Sequence, residues 1–361
     1  MKIALVHDYL NQFGGAERVL LALSEMFPDA PIYTLFYDEA LMRGYFSDKK
    51  IITSFLDRSM IRKRHRAFIP LFAPAAYTLD LGNKYDLIIS DSAGFGKGFR
   101  YNKHTPHISY IHSPLRYAWE PEVYLGTLFS KPTIMLGKPL LYALKHWDKY
   151  VAQWPTTLLA NSHHTLQKME LFYQRTAEVL HPPVNTDIFY PDQTGDVNGY
   201  YLAFGRMLHY KRFDLIVDAF NKLNKPLLII GDGPERNAIS ARITSPKIDM
   251  RPPVRDENEL RRIISNARAV LFPQEEDFGL VAAESITCGT PVIAYGRGGA
   301  LEIVHEGMTG TFFYEQSPER LIEAIRRFET YVLNRNDISE SAHIFSKKHF
   351  QNKIHETIDL L

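Results

Sequence analysis

Short apolar runs alternate along this chain with amphipathic stretches and with clusters of Gly, Pro, Asn and Asp. In the first half, Ile3 to Val6, Pro31 to Tyr37, Asp86 to Ser90, His107 to Ile111 and Thr157 to Ala160 read as strands. In the second half, Tyr200 to Phe204, the LLII of LLIIGDGPE, Ala269 to Phe272 and Pro291 to Tyr295 repeat the pattern, and Met250 to Val254 ends a further strand. Runs that are apolar throughout suit strands covered on both faces, as in a parallel sheet. Between them, NQFGGAERVLLALSEMF, the segment from Leu280 to Cys288 and the tail KKHFQNKIHETIDLL have helical spacing. Strands alternating with helices predict an α/β protein with doubly wound, Rossmann-like sheets.

From Leu180 to Gly199 the chain is rich in turn residues, HPPVNTDIFYPDQTGDVNG. This predicts two domains, 1–190 and 191–345, followed by a helix over about 346–361. A length of 361 residues and 45% hydrophobic content suit two packed cores. The formal net charge of +1 gives no general case for nucleic-acid binding. Cys288 is the sole cysteine, so an intrachain disulfide and an all-cysteine metal site are excluded and a reducing, cytoplasmic setting is expected. MKIALVHDYL reads as a first strand rather than a signal peptide, and no apolar stretch reaches the length of a spanning helix.

The densest chemistry lies at 271–302, LFPQEEDFGLVAAESITCGTPVIAYGRGGALE. A buried strand stops at Pro273, a polar loop carries Glu275, Glu276 and Asp277, a helix starts around Phe278, Gly279 and Leu280, and a second strand leads to Gly-Arg-Gly-Gly. The loops of such a unit lie at the carboxyl ends of its strands, the ligand edge of an open α/β sheet. From Gly279 to Glu284 a helix rises roughly 7 to 8 Å. Backbone N–H groups at its start favour an anion, and Glu276 and Glu284 are carboxylates able to accept hydrogen bonds from sugar hydroxyls. The plainer alternative makes Glu276 a solvated loop acid and Glu284 a polar helix position.

Four other places carry polar residues at strand ends. Gly14 and Gly15 follow the first strand in the layout of a phosphate cradle, or of a simple tight turn. His112 ends the strand ISYI and is followed by Ser113, Pro114 and Arg116; a lone histidine there is structural more often than catalytic. Arg206 and Lys211 follow Tyr200 to Phe204, where cations can neutralise a diphosphate leaving group or can simply face solvent. Gly231 and Gly233 break the strand LLII and permit close backbone approach.

The run EEDFGLVAAESITCGTPVIAYGRGGALEIVHEGMTG closely resembles the donor-site signature of the retaining family 4 glycosyltransferases, which have the GT-B architecture. The resemblance rests on two glutamates separated by seven residues, the CGTPVIA strand, the double glycine, Glu302 and the Gly-x-Thr-Gly at 307 to 310. It implies that Glu276 contacts the donor sugar and Glu284 the ribose, with Phe278, Gly279 and Leu280 beside the donor. Gly-Arg, four residues, Lys is a second hallmark of that family. It implies a diphosphate role for Arg206 and Lys211, with Gly205, Gly231 and Gly233 near the nucleotide. The family's GGAE-like loop makes Gly14, Gly15 and Glu17 secondary candidates.

The stretch His112-Ser-Pro-Leu-Arg-Tyr-Ala-Trp119 and the continuation Lys211-Arg-Phe-Asp214 are similar to bacterial mannosyltransferases of O-antigen and exopolysaccharide assembly. The similarity implies His112 near the reacting sugar, with Arg116 and Trp119 as weaker contacts. It also implies retaining transfer of mannose from GDP-mannose to a lipid-linked oligosaccharide, without a required metal or other cofactor, and a last helix that crosses back to the first domain. UDP-glucose or another nucleotide sugar is the alternative donor, and a non-catalytic nucleotide-sugar-binding protein the alternative class. Asp277 departs from the Gly or Pro often found there, and Glu275 competes with Glu276 for the sugar. RSMIRKRHRAFIPLF at 58–72 sets basic beside bulky apolar residues, which fits peripheral contact with an anionic membrane surface or a solvated basic helix before a buried loop. IMLGKPLLYALKHWDKY at 134–150 reads similarly, or as core.

Overall fold

In the computed structural model, which describes residues 1–122, 135–192 and 199–361, the apolar runs become two separate parallel sheets. The first contains β1 (Ile3–His7), β2 (Ile32–Thr34), β3 (Ile51–Thr53), β4 (Leu87–Ser92), β5 (His107–Ile111), β6 (Thr157–Ala160) and β7 (Glu178–Val179) in the order β3-β2-β1-β4-β5-β6-β7. The second contains β8 (Tyr201–Phe204), β9 (Leu227–Ile230), β10 (Ile248–Arg251), β11 (Ala269–Phe272), β12 (Val292–Tyr295) and β13 (Gly310–Phe313) in the order β10-β9-β8-β11-β12-β13. The sheets belong to two units, Met1–Pro183 with Phe350–Leu361, and Val184–His349.

Each sheet is covered on both faces. Leu5, Leu20, Leu23 and Ile89 pack in one layer of the first unit, and Val6, Phe36, Phe72 and Ile88 in the other. The second unit has the same two-layer build, with Leu202, Val270 and Ala282 in one layer and Ala203, Phe220 and Ile293 in the other. Fully covered strands explain the unbroken apolar runs, because neither face meets water. In both sheets the strand order reverses direction once, between β1 and β4 and between β8 and β11. Crevices at the carboxyl ends of strands beside such a reversal are where open α/β sheets bind ligands.

The units divide after Pro183 rather than near 190. The Val184 amide donates to Phe345 O (2.7 Å), and Phe189 is fully buried in a core layer of the second unit, so the start of the turn-rich stretch is already committed to that unit. Residues 193–198 of the expected linker lie outside the described residues. The last helix is Lys347–Asp359; from Phe350 onward it counts with the first unit, where Phe350 meets Tyr110 edge-on at 5.7 Å and His355 meets Phe27 at 6.2 Å.

The two basic-apolar stretches fold differently. Residues 58–71 contain the short helix Ser59–Lys63 and a 3-10 turn, His65–Leu71, which bury Ile61 and Ile69 but leave Met60 and Leu71 exposed, and Phe72 is buried at the start of the next helix, Phe72–Thr78. The helix Lys138–Val151 buries Leu144, Asp148 and Val151 and exposes Leu140 and Tyr142. The core reading of 134–150 therefore fails for most of its apolar side chains; Ile134 itself lies outside the described residues. Among the described residues no helix is long and apolar enough to cross a membrane.

Candidate active site

At the switch point of the second unit, β8 and β11 are neighbours and their following loops carry the candidate donor residues. The loop after β8 is locked to the loop after β9, since Gly205 N donates to Ile230 O (3.0 Å) and Met207 N to Asp232 O (2.8 Å). Gly231, at φ +157°, leaves no room for a side chain because a Cβ would sit 2.0 Å from Gly205 O. The chain then turns through His209–Lys211 into the helix Phe213–Leu223. Arg212 binds Asp214 (3.1 Å) and Gln316 (3.2 Å), and Gln316 donates to Pro273 O (2.8 Å). Through that chain the β8 loop is tied to the β11 loop.

Lys211 Nζ lies 2.9 Å from Glu276 Oε1, with 13% and 19% of the two side chains exposed. Gln274 Nε2 donates to the same oxygen at 3.3 Å, and Gly299 N donates to Glu276 O at 2.9 Å. A methyl group on Gly205 would come within 3.7 Å of Lys211 Nζ and 4.0 Å of Val281 Cγ2, so the β8 loop, the lysine and the helix Leu280–Thr287 share one small region. Gly279 enters that helix in the left-handed region at φ +112°, where a Cβ would meet the Phe272 ring at 2.8 Å. The first backbone N–H groups of the helix follow directly and have no carbonyl of their own helix to bond.

Glu284 is buried within the same helix. Arg206 and Glu275 are exposed, and of the two adjacent glutamates it is Glu276 that pairs with Lys211. Phe278 is 4% exposed, packs in a core layer and meets Phe345 at 5.6 Å, so only its backbone is left to face the helix start.

At the switch point of the first unit the residues are sealed. His7 on β1 and Asp91 on β4 are register partners, and His7 Nδ1 is 2.9 Å from Asp91 Oδ2. The other oxygen of Asp91 bonds His112 Nε2, just past the end of β5. On its far side His7 Nε2 lies 3.7 Å from Glu17 Oε1, and Glu17 Oε2 accepts from Gly14 N at 2.8 Å. Burial alone would lower His7, but hydrogen bonds and charge from Asp91 and Glu17 outweigh it and push the imidazole up to about 10. Burial works to raise Asp91, yet His112 and His7 hold it below the ordinary carboxylate range. Asp8, next in the chain, accepts from Ala93 N and Phe95 N (both 2.8 Å); burial nevertheless pushes its carboxyl up, against the opposing charges of His7 and Lys97.

Gly14 and Gly15 are accounted for by this arrangement. Gly14 is the N-cap of the helix Gly15–Met26, and the Glu17 carboxylate accepts from its N–H, the one half of a capping box that a glycine allows. A carboxylate therefore stands where a phosphate cradle would need an anion.

A second buried group fixes the segment after His112. Lys97 Nζ is 2.6 Å from Asp148 Oδ1, with neither side chain exposed. Asp148 Oδ2 accepts from Tyr173 OH (2.8 Å), Trp119 Nε1 (2.8 Å) and Leu115 N (3.2 Å). Trp119 is thus spoken for: its N–H is bonded to Asp148 and its ring stacks on Phe172 at 4.3 Å. Arg116 opens the short helix Arg116–Trp119.

Sequence reading missed His7, Asp8, Asp91, Lys97 and Asp148. The available signal was position, because His7-Asp8 and Asp91 are polar residues closing apolar runs at carboxyl ends of strands.

Two Rossmann-like parallel sheets in one chain are the architecture of GT-B glycosyltransferases. The chain superimposes on Anabaena HepE in complex with UDP with a TM-score of 0.72, at 16% identity and over 100% of both chains. Against sucrose-phosphate synthase of Thermosynechococcus elongatus the TM-score is 0.71, at 14% identity over 100% of this chain and 99% of that one. Residues 194–344 match the family model for glycosyl transferases group 1.

An uncharacterised glycosyltransferase of Methanocaldococcus jannaschii is 26% identical over 207 residues, 56% of this chain and 58% of that protein. A D-inositol 3-phosphate glycosyltransferase of Mycobacterium tuberculosis is 32% identical over 157 residues, 37% of this chain and 32% of that protein. The matches thus span only part of these relatives' lengths. The fold is thus that of GT-B enzymes, and the similarity to group 1 glycosyl transferases lies over residues 194–344.

Proposed function

We propose that the chain is a retaining glycosyltransferase that transfers mannose from GDP-mannose to a lipid-linked oligosaccharide in the assembly of a bacterial surface polysaccharide. The observation that carries the transferase reading is the Lys211–Glu276 pair at the second switch point, beside the start of the helix Leu280–Thr287. A diphosphate draws Lys211 Nζ away from Glu276, and the released carboxylate accepts hydrogen bonds from the donor sugar. Arg206, Lys211 and the helix N–H groups stabilise the charge that grows on the departing nucleoside diphosphate. The acceptor hydroxyl attacks from the face the nucleotide leaves, with His112 near the reacting sugar and Glu284 on the ribose. Arg206 and Lys211 supply the positive charge at the leaving group, so no metal or other cofactor is required.

Mannose rests on the similarity of His112 to Trp119 and Lys211 to Asp214 to mannosyltransferases. A second reading has UDP-glucose as donor, favoured by the fold neighbour from Anabaena, whose structure was solved with UDP and glucose. A lipid-linked acceptor fits peripheral attachment to the inner face of the cytoplasmic membrane through Arg58, Lys63, Arg64 and Arg66, next to exposed Met60 and Leu71.

The test is nucleotide release and label transfer by the purified protein, with membrane extract as acceptor, across GDP-mannose and UDP-glucose. Release from GDP-mannose alone is expected. Release from UDP-glucose alone keeps the transferase and replaces the donor, whereas binding of both without release overturns the enzyme reading.

A further inference from the structure

The buried chain Glu17, His7, Asp91, His112 has a direction. Side-chain exposure is 4% at Glu17, 3% at His7, 0% at Asp91 and 11% at His112, so the last imidazole is its most open member.

The geometry also fixes which nitrogen is held. Asp91 splits its two oxygens, Oδ2 to His7 Nδ1 and Oδ1 to His112 Nε2, and His7 prevents the carboxylate from rotating away from His112. The backbone of His112 is pinned on both sides, its N–H donating to Ser92 O (2.9 Å) and its carbonyl accepting from Thr165 Oγ1 (3.2 Å). The ring of Tyr110 stands edge-on to the imidazole at 5.1 Å. A carboxylate only accepts hydrogen bonds, so a neutral His112 must carry its proton on Nε2. Nδ1 makes no hydrogen bond among the described residues.

We propose that Asp91 is the positioning residue for His112, holding the proton on Nε2 and leaving Nδ1 as the nitrogen offered to the reacting groups, with His7 and Glu17 as the clamp behind it. This rests on the reading above that His112 lies near the reacting sugar. The role is that of an orienting carboxylate, which sets tautomer and ring direction without touching substrate.

Proton–nitrogen correlation spectra of the full chain, labelled with nitrogen-15 in its histidines and recorded at pH 8, read the tautomer directly. The signals of His112 are those lost in His112→Gln. The expected result is a protonated Nε2 and a bare Nδ1, with mixed tautomers in Asp91→Asn and in His7→Gln. A proton on Nδ1 of His112, or on both nitrogens, overturns the proposal. If Asp91→Asn does not fold, the wild-type and His7→Gln spectra decide.

Turnover then separates this proposal from the reading beneath it. Nucleotide release by Asp91→Asn is expected to fall at least about tenfold in kcat, with KM for the donor nearly unchanged. Wild-type turnover in His112→Gln contradicts the role of His112 itself. A slow His112→Gln beside an unimpaired Asp91→Asn sinks the positioning role alone.

Discussion

The switch point of the first unit is a closed circuit of buried partners, whereas that of the second is a part-exposed cation and carboxylate at the edge of a glycine-lined loop. In the first, Lys97 with Asp148 and His7 with Asp91 are almost wholly buried, each partner satisfied by another protein group. In the second, Lys211 and Glu276 keep 13% and 19% of their side chains open, and Arg206 is exposed. The difference teaches where stability and ligand exchange reside. Charges sealed from water cannot lose a partner cheaply, while charges at an open edge can trade one partner for a ligand.

The largest effect on folding is expected at Asp148. Asp148→Ala leaves the Lys97 ammonium buried without its counter-charge, and urea unfolding of the full chain should show a loss of about 3 to 5 kcal/mol. A loss below about 1 kcal/mol would mean that the first site tolerates exchange as the second does.

Next comes a pH effect. His7 is raised from 6.5 to about 10 in the folded chain. Its contribution to stability is therefore complete below the unfolded value and is lost as pH rises through the folded one. Between pH 6.5 and about 10 the stability of the wild-type protein should decline, with a slope approaching about 1.4 kcal/mol per pH unit at most, and His7→Gln should remove that part of the slope. An unchanged slope in His7→Gln would place the alkaline loss elsewhere.

The smallest effect is expected at Glu276. Glu276→Gln should alter unfolding free energy by less than about 1 kcal/mol, because an open pair gains little. Loss of several kcal/mol there would erase the contrast between the two sites.

What could be read from the sequence followed the same division. β5, β6 and β11 match the expected His107 to Ile111, Thr157 to Ala160 and Ala269 to Phe272 residue for residue, since central strands covered on both faces are uninterrupted apolar runs. Pro31 to Tyr37 contracts to Ile32–Thr34, and the edge strands Ile51–Thr53 and Gly310–Phe313 escaped notice. Half-buried Ile51 to Thr53 follow two lysines, and the last edge strand opens on glycine and threonine, so neither has the core pattern.

The candidates of the second unit could be named from sequence because Glu276, Gly279, Glu284 and, further back, Arg206 and Lys211 lie within contiguous motifs. The circuit of the first site depends on strand register instead: His7 and Asp91 stand 84 positions apart and meet only because β1 and β4 pair in parallel. The sequence of a single chain does not display that register, so His112 was named a candidate without the carboxylate it bonds, Asp91. Trp119 and Phe278 also sit inside motifs, and the sequence did not show that their rings pack on Phe172 and Phe345.

The central claim is that the second switch point handles a nucleotide-sugar diphosphate through Lys211. Its most direct measurement is nucleotide release by Lys211→Ala beside the wild type, with GDP-mannose and UDP-glucose supplied separately and the fold checked by unfolding. The account predicts a fall of about 10²- to 10³-fold in kcat on the productive donor with stability nearly unchanged. Release at the wild-type rate by a folded Lys211→Ala protein would contradict it.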